Sequence, residues 1–184
     1  MKETNQFFIF FFGILTAAIS RLAPHPPNFA PLTAIAIAGS AALGFRRGAV
    51  LSLLAIWMSD FMVNNILYAH YFPGVVWFYE GWYWQYGGWL VIALMASQTL
   101  RKISIVNWLL TTFSATLIFF LISNLGVWAD SPLYEKSLSG LYLAYLAGLP
   151  FLKNTFLSDL VYSGVLLSLN LLALRKLKKA LQVN

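Results

Sequence analysis

Long apolar runs separated by short polar or Pro/Gly-rich stretches dominate this chain, at roughly 6–22, 31–45, 48–68, 88–100, 105–128 and 155–174. None shows the strict two-residue alternation of a barrel strand, so each predicts an α-helix. The second and fourth runs hold about 13 to 15 residues, near 20 Å of helix against roughly 30 Å of hydrocarbon. They therefore have to borrow flanking residues or sit shielded by their neighbours. The pattern predicts an all-α fold: a polytopic membrane bundle of about six transmembrane helices, with residues 1–184 forming one integral membrane domain.

Composition points the same way. Of 184 residues, 60% are apolar and 10% charged, too few to cover a water-soluble globule with polar surface. Lys2 followed by the apolar run from Phe7 to Ile19 has the outline of a leader, but Arg21 and a proline cluster follow instead of a small-residue cleavage site. It is read as a retained first span. The net charge of +6 does not suggest nucleic acid, because the basic residues sit in clusters between apolar runs.

Those clusters set an orientation. With the N-terminus inside, Lys2, Arg46, Arg47, Arg101, Lys102, Arg175, Lys176, Lys178 and Lys179 fall on the cytoplasmic side, and only Arg21, Lys136 and Lys153 on the other. The expectation is a multi-pass protein of the cytoplasmic (inner) membrane with both termini in the cytoplasm. All acidic residues except Glu3 fall at or near the outer face, and the connections there, 23–30, 69–87 and 129–154, are the long ones. Recognition is expected on that side.

Intramembrane polar residues are the first candidates for a site, since a charge at mid-membrane costs roughly 2.5–3.5 kcal/mol on insertion scales. Asp60 with Asn64, Asn124, Asn154 and Asp159 would lie at similar depth beneath the outer loops. They read either as one ligand-binding cluster or as hydrogen-bonding ties between helices. His25 and Asn28 sit in a proline-stiffened segment that aims side chains at a ligand or simply turns the chain. Trp77, Tyr79, Trp82 and Trp84 belong to an aromatic stretch that is either an interfacial belt or a wall closing over a ligand. Small residues from Ala34 to Ala42 predict close helix packing, or docking against a partner subunit. The chain has no cysteine, no P-loop, no dinucleotide fingerprint and no HExxH. No catalytic residue, metal or cofactor is expected, and the partners expected are the lipid bilayer, a small molecule and neighbouring membrane subunits.

Arg-Leu-x-Pro-His-Pro-Pro-Asn-Phe at 21–29, Ser59-Asp60, Ser123-Asn124-Leu125-Gly126-Val127-Trp128, and Ala-Gly-Leu-Pro-Phe-x-x-Asn-Thr at 147–155 with Asp159 together resemble a bacterial family of small uncharacterised membrane proteins. More loosely, the chain resembles the substrate-binding S-components of energy-coupling-factor vitamin transporters, including the solitary cobalamin type. That likeness implies an outward-facing pocket for a small nutrient such as a vitamin, bound by His25, Asn28, Asp60, Asn64, Asn124, Asn154 and Asp159 beneath the 77–86 aromatics. A cobalt-binding cysteine is excluded here. The alternative is a structural or accessory subunit of a larger membrane complex, binding lipids, pigments or neighbouring subunits.

Overall fold

The computed structural model describes residues 11–12 and 14–182, with side chains as far as 175. The start of the first apolar run, Lys2, Glu3 and the side chains of Lys176, Lys178 and Lys179 lie outside the described residues. Every regular element among them is helical. Residues 14–19 form α1, which closes in a 3-10 turn at Ser20–Leu22. Then come α2 (Leu32–Met62), α3 (Trp82–Thr99), α4 (Ile105–Asp130) and α5 (Leu138–Gln182). A π-helical turn at Val63–Leu67 and a 3-10 turn at Ala69–Tyr71 follow α2.

The described residues thus hold five helices where the apolar pattern predicts six spans. The difference lies in α2, which absorbs the second and third runs but breaks at Gly44, where φ is 75° and ψ 171°. Only glycine adopts that backbone without strain. The chain reverses there. Ser52 donates to the Ile35 carbonyl at 2.9 Å across a separation of 17 residues, which a straight helix would hold about 26 Å apart. The two arms, 32–43 and 45–62, meet so closely that a Cβ on Gly48 would run into the backbone of Gly39 and Ser40. The small-residue arm packs inside the bundle: Ala34, Ile35, Ala36, Ile37 and Ala38 are 0% exposed.

Two other boundaries differ from expectation. Helix α3 starts at Trp82, inside the predicted outer connection, and α5 starts at Leu138 rather than near 155. Gly148 and Pro150 suggest a loop, yet both lie within α5. A proline removes one helical donor, and here packing of the flanking turns on α4 outweighs that loss. The register of α4 and α5 is antiparallel: Trp108 bonds Ser163, Thr116 bonds Asp159, and Gly148 lies against Asn124.

The molecule is apolar outside and partly polar inside. Leu90, Val91 and Leu94 on α3, Leu109, Leu110, Phe113 and Leu121 on α4, and Leu157, Val161, Val165 and Leu172 on α5 are all exposed. Thr111, Thr112, Thr116, Ser158, Asp159 and Ser163 are buried. Water would reverse that distribution, whereas hydrocarbon favours it. Three helical stretches are long and apolar enough to cross a membrane: Leu32–Leu67, Ile105–Asp130 and Leu138–Arg175, the first divided between its two arms at Gly44. The chain is therefore an all-helical membrane protein.

The hairpin contact is testable. Gly48→Ala is expected to destabilise the protein by about 1–3 kcal/mol through backbone overlap, seen as a lower melting temperature in detergent. Gly87→Ala, whose new methyl would meet nothing within 4 Å, should melt at or slightly above wild type.

Candidate functional site

Asp60 is the first predicted residue to find its partners. The second arm of α2 carries it beneath the 3-10 turn, where Arg21 Nη1 reaches Asp60 Oδ1 at 2.5 Å and Ser59 Oγ at 3.2 Å. Tyr86 of α3 donates to Asp60 Oδ2 at 2.8 Å, and Ser59 donates to the Ala18 carbonyl at 2.8 Å. Asp60 is 5% exposed, and both of its oxygens are engaged. This node ties α1, α2 and α3 together, as a buried carboxylate requires. Tyr79 packs nearby, its hydroxyl pushed up from the ordinary tyrosine range by burial first, then by Asp60, against a smaller opposing effect of Arg21. It remains a neutral phenol.

The aromatic stretch divides. Trp77 stacks on Trp57 at 6.2 Å and 12° and packs against Phe61 at 5.1 Å. Trp57 Nε1 donates to the Trp77 carbonyl at 3.2 Å. Trp82 packs on Phe78 and Tyr86. Trp77, Tyr79 and Trp82 thus pack around α2 and the start of α3. The side chain of Asn64, expected to assist Asp60, makes no hydrogen bond among the described residues; its neighbour Asn65 instead clasps Val76 through both its amide N–H and its carbonyl, each at 2.8 Å. His25 is exposed and contacts the Pro26 carbonyl at 3.2 Å. Asn154 donates to the Pro27 carbonyl at 2.9 Å and so pins the proline segment to α5.

Trp84, Asn124 and Asn28 are brought together around a cleft. One lobe, of 340 Å³, opens between the start of α3 and the end of α4, with Glu80, Trp84 and Asp130 on its walls. The second, of 210 Å³, lies between α4 and α5 beneath Asn28, with Asn124 and Thr155 on its walls. Gln85, Ser123 and Val127 line both lobes, so the two lie side by side with these three residues between them. Glycine permits the close approaches on either side, since the Trp84 ring lies on Gly126 and the Asn124 amide on Gly148.

The polar groups of this cleft are only partly engaged. Asp130 Oδ2 accepts from Trp84 Nε1 at 2.9 Å and from the Tyr83 hydroxyl. Asn124 donates to the Phe120 carbonyl at 2.8 Å, which leaves its second N–H and its carbonyl oxygen unused. Gln85, half-buried at the junction of the lobes, has no hydrogen-bond partner among the described residues. Gln85 and Ser123, which line both lobes, were not among the site residues expected from the sequence. The signal was present: Gln85 is the one amide within the run Trp82-Tyr83-Trp84-Gln85-Tyr86.

Asp159 lies one turn below Thr155 on α5 and is 0% exposed. Thr116 of α4 bonds its Oδ2 at 2.7 Å. Asp60 and Asp159 are therefore separate centres, each outside the cleft walls. Among the described residues no group of three His, Cys, Asp or Glu side chains is placed to hold a metal ion.

The chain belongs to a family of unknown function (DUF6580), whose model matches residues 1–181. No curated protein and no solved structure matches it.

The Arg21–Asp60 pair should be strongly interdependent. Arg21→Ala leaves a buried carboxylate without its cation and is expected to cost about 3–5 kcal/mol. Adding Asp60→Asn to Arg21→Ala should recover much of that loss in a double-mutant cycle read by thermal melting. Additive effects would show that the pair is not coupled.

Proposed function

We propose that this member of a family of unknown function is a substrate-binding or transport subunit of the inner membrane, holding a small nutrient in the cleft among α3, α4 and α5. The unpaired Gln85 amide at the junction of the two lobes carries this reading. The Gln85 amide is accessible and makes no side-chain bond within the described residues, so it is available to a ligand, and the cleft has room for a small molecule. Trp84 offers a ring to stack on, Gln85 and Asn124 offer amides, and Glu80 and Asp130 make the rim acidic. These groups suit an amphipathic ligand with hydrogen-bond donors.

Topology supports an outward-facing cleft. The turn after Gly44 carries Arg46 and Arg47, the turn after α3 carries Arg101 and Lys102, and all four are exposed. The antiparallel register puts both turns at the end of the bundle away from the cleft. By the positive-inside rule that end is cytoplasmic. With the first apolar run and α3 read as spans and the two arms of α2 counted separately, the chain would cross six times with both termini inside, the arrangement that the S-component-like reading calls for.

Two measurements test the proposal. Native mass spectrometry of protein extracted from its own membrane should show a copurifying small molecule. Its occupancy should fall at least tenfold in Gln85→Leu and Ser123→Leu while their melting temperatures stay near wild type. An empty wild-type chain in stoichiometric company with other membrane proteins would instead make this an assembly subunit. For topology, the cysteine-free chain allows single-cysteine labelling. Glu135→Cys should react with an impermeant maleimide in intact spheroplasts, and Arg47→Cys only after lysis.

A further inference from the structure

Outside the cleft, facing stretches of α4 and α5 bring four oxygen-bearing side chains together in two rungs. Thr116 Oγ1 lies 2.7 Å from Asp159 Oδ2, and Thr112 Oγ1 lies 3.4 Å from Ser163 Oγ. The residues of each helix are four apart, which sets the rungs about 6 Å from one another. All four are buried, none more than 2% exposed. Trp108 Nε1 donates to Ser163 Oγ at 2.8 Å and closes one end.

The cluster has more acceptors than donors. Thr116 has one hydroxyl hydrogen but lies within bonding distance of two acceptors, Asp159 Oδ2 and the Thr112 carbonyl at 3.0 Å. Asp159 Oδ1 is buried with no hydrogen-bond partner among the described residues. Among the described residues no Lys, Arg or His forms an ion pair with it: the ion pair found there is Arg21–Asp60, on other helices. Asp60 and Asp159 thus share a residue type and a burial class but differ in their cation, which Asp60 has in Arg21 and Asp159 lacks.

We infer that Thr112, Thr116, Asp159 and Ser163 form a binding site for a hard monovalent metal cation, sodium or potassium. Every available group is a hard oxygen, the kind of donor such ions take. One carboxylate balances one positive charge, whereas a divalent ion would leave the buried site with net charge. The site lies between α4 and α5, one turn below Thr155 in the cleft wall, and its occupation does not depend on any ligand in the cleft.

The test uses the full chain in lipid nanodiscs, melted in sodium, potassium or choline chloride at matched ionic strength and fixed pH. Wild type should gain about 3 °C or more, saturably, in sodium or potassium over choline. The gain should vanish in Asp159→Asn, which keeps the side-chain shape, and shrink in Thr116→Val. Equilibrium binding of radioactive sodium, or of rubidium in place of potassium, to wild type should approach one ion per chain and identify the favoured cation. Should Asp159→Asn fail to fold, Thr112→Val and Thr116→Val with the radioactive ion carry the same test. Equal melting of wild type in all three salts, a gain that persists in Asp159→Asn, or stability that follows pH but not the metal cation would overturn the assignment.

Discussion

The contact of Gly48 with the backbone of Gly39 and Ser40 is the constraint on which the rest of the bundle depends. Helices in lipid gain little from the hydrophobic effect between themselves, so close packing and hydrogen bonds have to hold them. Small residues let the two arms of α2 meet at backbone distance, and the Ser52 bond to Ile35 fixes their register. With that register set, the far end of the second arm brings Ser59 and Asp60 beneath Arg21, and Tyr86 of α3 completes the node. An error at the hairpin would therefore propagate to three helices.

The two buried aspartates show how differently one bundle treats the same side chain. Asp60 accepts from Arg21 and Tyr86, and the arginine offsets its charge. Asp159 sits among neutral hydroxyls that bond one oxygen and leave the other bare. Burial penalises both, but only the first has its compensation within the chain. The first therefore acts as structural glue, and the second is left with capacity for something from outside.

The cleft follows from helix ends rather than helix centres. Trp84 rests on Gly126 and Asn124 on Gly148, so α3, α4 and α5 are drawn together at those points and leave space beside them. Asn154 ties the proline segment to α5 and brings Asn28 to the cleft mouth. The stiff Pro-rich stretch thus serves as a strap across helix ends, and its histidine is exposed.

The sequence by itself determined the helical class, the membrane setting and the polar residues that had to be accounted for, because apolar run length and scarcity of charge depend only on local composition. It also marked the reversal near Gly44, where basic residues interrupt small apolar ones. It did not determine where α3 and α5 begin, since Trp82 to Tyr86 and Gly148 to Pro150 have weak local preference for helix and become helical through contacts with α4. Nor could it tell Asp60 from Asp159, both preceded by serine at the outer part of a span. Only the tertiary structure separates them, because an arginine 39 residues away in sequence reaches one and, among the described residues, no cation pairs with the other. For the same reason the sequence marks Gln85 as an amide among aromatics but does not show that it is unbonded: whether a polar side chain is spent or free depends on what stands opposite it, and that is a property of packing.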